Sequence, residues 1–156
     1  MGKQTSTQMI INPAQQIHGQ EEIDSATEVI KSGRWAEGPK SLEFRKILSD
    51  YLGVKYVCLT NSGSSANLAA LMALTTHWID ENRRLGPDTE VITPALCFPT
   101  TVSPIKYTGA TPVFVDVDKT WSIDIKEVEK AITEKTRAIM FAHNLGNPAN
   151  MDEIMR

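Results

Sequence analysis

Apolar residues along the chain fall into two alternating rhythms. From Glu21 to Lys31, Ile23, Ala26, Thr27 and Ile30 recur at helical spacing, and Gly33 follows as a stop residue. Pro39 suits the first turn of a second helix, where its missing N–H costs nothing; Phe44, Ile47, Leu48 and Tyr51 then share one face and Gly53 closes the element. Tyr56–Leu59 is a short apolar run that predicts a strand, 61–65 a turn of small residues, and 66–75 a helix apolar nearly all round, which predicts a buried one. Strands are expected at 90–93, 112–117 and 137–142. Between them lie a proline-punctuated segment, 98–107, and a helix, 125–133, opened by a capping box of Asp124 and Glu127. Continuously apolar strands separated by helices imply an α/β fold with a mainly parallel sheet covered on both faces.

The ends of the chain are different in kind. Residues 1–18 form a polar arm with no apolar periodicity, and 19–156 carry the predicted elements. Asn150 stands where a helix cap belongs with Glu153 three residues on, so the last six residues read as the first turns of a helix. The expectation is of a longer protein cut at this point.

With 156 residues, 41% hydrophobic and 22% charged, the chain has the composition of a globular domain, which excludes wholesale disorder. A net charge of -3 with mixed signs offers no basic stripe for nucleic acid. No apolar run approaches the ~20 residues of a membrane span, and no secretion signal opens the chain, so no membrane association and a cytoplasmic location are expected. Cys58 and Cys97 lack the spacing of a zinc or disulfide framework and are expected as reduced, buried thiols. Asp116 and Asp118 suit turn capping better than a metal site; no metal ligands are assigned.

The chemistry-bearing segment is Leu59-Thr60-Asn61-Ser62-Gly63-Ser64-Ser65-Ala66-Asn67-Leu68. A turn of small and hydroxyl residues leading into a helix provides free N–H groups, hydroxyl donors and the positive end of the helix dipole, which together suit a phosphate. The same residues also suit a plain serine cap on a core helix, and the turn alone does not choose between the two. It has neither the lysine of a G-x-x-x-x-G-K-[ST] loop, nor G-x-G-x-x-G spacing, nor the second glycine of a nucleophile elbow.

Four stretches resemble one family in order and spacing. They are Ser32-Gly33-Arg34-Trp35-Ala36-Glu37-Gly38-Pro39, Asn61-Ser62-Gly63-Ser64-Ser65-Ala66-Asn67-Leu68, Phe98-Pro99-Thr100-Thr101-Val102 and His143-Asn144-Leu145-Gly146-Asn147-Pro148. The sequence is similar, from about Asn12 to Arg156, to the N-terminal portion of the DegT/StrS nucleotide-sugar aminotransferases and 3-dehydrases, which are fold-type-I pyridoxal-phosphate (PLP) enzymes. The resemblance implies a three-layer, mainly parallel sheet, the large domain of such an enzyme, incomplete here. It implies PLP or pyridoxamine phosphate (PMP) as cofactor, with Gly63, Ser64 and Ser65 at the phosphate and Phe98 over the pyridine ring. Trp35, His143 and Asn144 would lie near a nucleotide-sugar substrate. Each has a plainer alternative: Trp35 as an anchor for its loop, Phe98 as a core residue, His143 and Asn144 as hydrogen-bonded loop residues.

The residues Phe98–Pro104, Leu145–Pro148 and the long segment 76–88 look closer to the 3-dehydrase branch, in which a histidine replaces the catalytic lysine; a sugar aminotransferase is the alternative. The resemblance further implies sugar or lipopolysaccharide biosynthesis, a homodimer, and a catalytic Lys or His beyond Arg156, so that no catalytic residue lies in this chain and the chain alone is expected to be inactive. An iron–sulfur cluster on later cysteines is compatible with the dehydrase branch. A non-catalytic phosphate-ligand-binding module remains open from the residues alone.

Overall fold

The computed structural model describes residues 17–156, so the expected arm over 1–18 lies almost entirely outside the described residues. The chain divides into two compact units, Met1–Cys58 and Leu59–Arg156.

The first unit carries two helices placed as their sequence predicts. In α1 (Gln20–Ser32) the Glu22 carboxylate accepts the Gly19 N–H at 2.6 Å, and that bond holds its acid below the usual carboxylate range. Gly33 ends the helix in the left-handed region at φ 68°, where a side chain would be strained. Helix α2 (Pro39–Leu52) starts on Pro39 and ends at Gly53, also left-handed. Phe44, Ile47 and Tyr51 lie exposed along α2.

The second unit is a three-layer α/β sandwich. Its strands, β1 (Glu90–Pro94), β2 (Thr111–Val115) and β3 (Thr136–Ile139), form a parallel sheet in the order β2-β1-β3. Because successive side chains point to opposite faces, the central strand β1 feeds two separate cores. Val91 packs with Leu71, Leu85, Ile105 and Ala110. Ile92 packs on the other face with Val115, Ile123, Val128 and Ala149. The first core joins the sheet to α3 (Gly63–Ala73) and α4 (Pro99–Tyr107); the second joins it to α5 (Ile125–Ala131), with Ile154 of α6 (Met151–Ile154) against it. Val91 and Ile92 are completely buried, and each such side chain contributes about 1.5–3 kcal/mol.

Several expectations need correction. Residues 56–59 do not form the expected regular strand, and Tyr56 and Cys58 lie exposed: a short apolar run does not by itself fix strand geometry. Helix α3 begins at Gly63, three residues earlier than expected, because Ser62 caps it. Of its residues only Leu71 is buried, so the apolar periphery is not covered as expected. The proline-punctuated segment is helix α4 with Pro104 inside it. At α5 only half of the expected capping box forms: Asp124 accepts from the Lys126 N–H, while Glu127 pairs with Lys130 at 2.7 Å. Cys58 is exposed and Cys97 half-buried rather than both buried. Asn150 caps α6 as expected, accepting from the Glu153 N–H.

Candidate functional site

The loops that follow the strands at their carboxyl ends, together with the start of α3, carry the predicted site residues of the second unit. In a parallel sheet these loops all emerge at one edge, where ligands gather.

The turn into α3 is built by its own hydroxyls. Ser62 has extended backbone and its Oγ accepts the Ser65 N–H at 3.2 Å, satisfying the third amide of the helix. Thr60 Oγ1 donates to the Ser62 carbonyl at 2.9 Å, and Ser65 Oγ donates to Asn61 Oδ1 at 2.7 Å. The N–H groups of Gly63 and Ser64 meet no acceptor among the described residues. Both are exposed. A Cβ added to Gly63 would meet nothing within 4 Å, and Gly63 is not left-handed, so the fold itself makes no demand for glycine there. What the missing side chain leaves is open space at the positive end of a helix whose first two amides are uncommitted. Those residues fit a phosphate group. Ser65 is otherwise engaged, since its hydroxyl reaches an anion only by giving up Asn61.

Phe98 caps the start of α4 and is largely exposed, so it is no core residue in this unit. A single missing hydrogen bond ties it to the phosphate turn. Pro104 has no N–H, which would have bonded the Thr100 carbonyl four residues back. Asn67 of α3 donates its Nδ2 to that carbonyl instead, at 3.2 Å. The helix beginning at Gly63 and the helix beginning after Phe98 are thereby locked together near their N-terminal ends.

A pocket of about 370 Å³ opens beside Phe98, lined also by Leu96, Cys97, Trp121, Asn144 and Leu145. Burial pushes the Cys97 thiol up; the nearby Thr93 hydroxyl opposes that only in part and makes no full hydrogen bond of its own. Asn144 spends its amide on two backbone carbonyls, Trp121 at 2.8 Å and Leu96 at 3.5 Å. His143 accepts the Ala149 N–H at its Nδ1, 3.1 Å away, and meets Phe141 edge-on at 5.6 Å. That bond leaves the proton of the neutral ring on Nε2. Trp121, which the sequence did not single out, joins the site through the β2–α5 loop. Its only signal was an aromatic residue between turn formers, Lys119-Thr120 and Ser122.

Gly63, Ser64, Ser65, Phe98, His143 and Asn144 thus all lie in the second unit. Trp35 belongs to the first, where its Nε1 donates to the Ile30 carbonyl at 3.1 Å while the ring stays exposed. Asp118 Oδ1 accepts from the Thr120 hydroxyl and amide and from the Ser122 amide, as a turn cap does, and the Thr120 hydroxyl first of all holds its carboxyl below the ordinary value. Among the described residues no cluster of His, Cys, Asp or Glu could hold a metal.

Residues 16–156 match the sequence profile of the DegT/DnrJ/EryC1/StrS aminotransferase family. The chain belongs to that family. It is 45% identical over 148 residues to the lipopolysaccharide biosynthesis protein RfbH of Salmonella typhimurium, covering 94% of this chain and 34% of that protein. Among solved structures it is similar to the E. coli GDP-4-keto-6-deoxy-D-mannose-3-dehydratase with bound hydrated PLP, at 33% identity and a TM-score of 0.81 over 90% of this chain and 36% of that one. It is also similar to a protein of Streptococcus pneumoniae assigned as a sugar aminotransferase, in its PMP form, at 32% identity and a TM-score of 0.76, covering 89% and 33% respectively. The chain therefore spans about a third of the length of these DegT/StrS proteins. The parallel sheet between helix layers is the PLP-dependent transferase fold, over the part that is aligned.

Proposed function

We propose that residues 19–156 are the N-terminal part of the PLP-binding large domain of an enzyme that acts on a nucleotide-linked keto-deoxysugar, in the manner of a 3-dehydratase. The observation that carries the reading is the pair of uncommitted amides at Gly63 and Ser64, with open space at Gly63, on a helix tied through Asn67 to the one that begins after Phe98. The cofactor, when bound, supplies an electron sink for the carbon chemistry of the sugar. This chain's residues would seat it: Gly63 and Ser64 hold the phosphate, Ser65 fixes the turn through Asn61 and Ser62, and the Phe98 ring covers the pyridine face. The resemblance alone puts Trp35 and His143 on the substrate side, and Asn144, its amide committed to the Trp121 and Leu96 carbonyls, holds the loops there. His143 can offer an Nε2–H there because its Nδ1 is occupied.

The catalytic Lys or His is placed beyond Arg156, so the 156-residue chain alone would not turn over substrate. The intact protein is read as a cytoplasmic homodimer in sugar or lipopolysaccharide biosynthesis. Among the described residues no helix is long and apolar enough to cross a membrane. Similarity to the S. pneumoniae protein supports a second reading, amino transfer to a keto sugar; the higher TM-score to the dehydratase favours the first.

The test is a titration of the protein from its complete reading frame with PLP and PMP, followed by absorbance, in the parent, in Ser64→Pro, which removes one of the two amides at a first-turn position that tolerates proline, and in Gly63→Val. Saturable retention that weakens about tenfold or more in the variants is expected, the size of one lost charge-assisted contact. No retention by the parent, or variants indistinguishable from it, would end the proposal. Retained PMP together with sugar dehydration and no amino transfer would decide between the two reactions.

A further inference from the structure

Backbone strain in this molecule is concentrated on one wall. Among the described residues, Trp121 at φ 65° and Leu145 at φ 54° are the non-glycine residues in the left-handed region. That region costs an L-residue roughly 1–2 kcal/mol, and strain of this kind persists where surrounding structure enforces it. Both residues line the pocket beside Phe98. The enforcing group is visible: Asn144, next to Leu145, donates to the Trp121 carbonyl at 2.8 Å and to the Leu96 carbonyl at 3.5 Å, so one amide joins the exits of β1 and β3 to the β2–α5 loop. The loop is further braced by Asn147, whose Nδ2 donates to the Thr120 carbonyl at 3.0 Å, and by the Trp121 N–H to the Asp118 carbonyl at 3.1 Å.

This bracing does not bury the indole, which is 59% exposed. Nor does it stack on Phe98, since the described ring pairs are others. A large ring held in a strained backbone, yet left uncovered on a pocket wall, is a platform waiting for a flat or apolar surface. The lining of two aromatic residues, two leucines and Cys97 contains no charged side chain, and its one amide is committed internally. Such a wall rejects phosphate and suits the uncharged C–H face of a deoxygenated sugar ring.

We propose that Trp121 is a substrate-specificity residue that receives the apolar face of the keto-deoxysugar, and that Asn144 is the positioning residue that holds it there. The proposal rests on the reading of this site as one for a cofactor and a sugar nucleotide, and assigns Asn144 a structural rather than a direct part in it.

The test uses the protein from its complete reading frame and whichever of the GDP- and dTDP-linked 4-keto-6-deoxyhexoses the parent turns over. Trp121→Gly removes the ring and also relieves the left-handed strain, so the variant should melt no lower than the parent. Its KM should rise about 30-fold, the size expected for truncating a well-placed tryptophan, with kcat changed less than about threefold. The PMP affinity, read by absorbance, and the inhibition constant of the free nucleotide should both stay within about twofold. Trp121→Phe should restore KM to within about threefold of the parent, and Asn144→Asp, which sets a carboxylate against two carbonyl oxygens, should reproduce the KM defect with the ring still present. An unchanged KM in Trp121→Gly would overturn the assignment while leaving the cofactor reading intact. An equal rise in the nucleotide's inhibition constant would move the contact from the sugar to the base and overturn it as well. A parent that binds neither PMP nor a sugar nucleotide would remove the underlying reading, and the proposal with it.

Discussion

The interior of β1 and the loop that leaves it obey opposite rules within a few residues. From Val91 to Pro94 every residue is buried, the backbone pairs with β2 throughout and with β3 at Val91 and Ile92, and those two side chains point into two different cores. From Ala95 to Phe98 the chain turns exposed or half-buried, and the loops gathered beside it hold two left-handed non-glycine residues. One stretch places apolar groups where water is excluded; the next keeps an aromatic ring where water still reaches. The lesson is that stability and chemistry are spatially divided here, and substitutions on either side of Pro94 should report on different properties.

The largest expected effect lies on the stable side. Ile92→Ala removes a completely buried side chain from the core it shares with Val115, Ile123 and Val128, and should cost about 2–5 kcal/mol. Chemical denaturation would measure it, and a loss under about 1 kcal/mol would mean that this core relaxes around the gap far more than its packing suggests.

A smaller effect should fall on ligand binding alone. Gly63→Ala has room for its methyl group and no left-handed backbone to violate, so stability should hold or rise by about 0.4–1 kcal/mol as the unfolded chain loses freedom. PLP retention should nevertheless fall about tenfold, or ~1.4 kcal/mol, if the open space at Gly63 is where the phosphate sits and the methyl group takes part of it. Opposite signs for stability and affinity would sharpen the division. A parallel loss of both would blur it.

The same division explains how much could be read from the residues. The elements with strong periodicity or explicit punctuation came out where expected: α1 and α2 between their glycines, the Asn150 cap, and the three parallel strands, of which β2 ends at Val115 and β3 at Ile139, short of the expected 117 and 142. Residues 56–59 misled because a short apolar run does not by itself specify regular strand geometry. Helix α4 was obscured by its own prolines, Pro99 being a good first residue and Pro104 an apparent breaker that a neighbouring side chain compensates. Of the site, the phosphate turn was legible because small, hydroxyl-bearing residues before a helix have a physical reason to be there. Trp121 was not, since its place on the pocket wall depends on Asn144, distant by 23 positions in sequence, and on a backbone angle that no local pattern announces.

Between the two regions stands the Asn67–Thr100 bond, which is part-buried and serves both. Asn67→Ala leaves the Thr100 carbonyl without the donor that Pro104 cannot supply, and should cost about 1 kcal/mol. Pro104→Ala restores a backbone N–H able to reach that carbonyl. The double variant should therefore lose less than the sum of the single ones, a coupling that a double-mutant cycle would detect. Strict additivity would show that the two groups do not share the acceptor.

The smallest expected effect is the most local. Asp118 is fully exposed, and its carboxyl is held below its ordinary value by the Thr120 hydroxyl, then the Thr120 amide, with the Ser122 amide adding a lesser pull. A carboxylate whose acid is stronger in the folded chain binds fewer protons there than in the unfolded one; its contribution is complete above the unfolded value near ~3.9 and is lost as pH falls through the lower folded value. The bonds concerned close the turn that carries Trp121, so acid should release the indole before it touches β1. Fluorescence of a variant with Trp35 and Trp78 replaced by phenylalanine should change below about pH 4 while far-ultraviolet circular dichroism stays constant. Asp118→Asn should abolish the separate fluorescence step. Coincident loss of both signals in the parent would mean that the Trp121 turn and the sheet unfold as one unit.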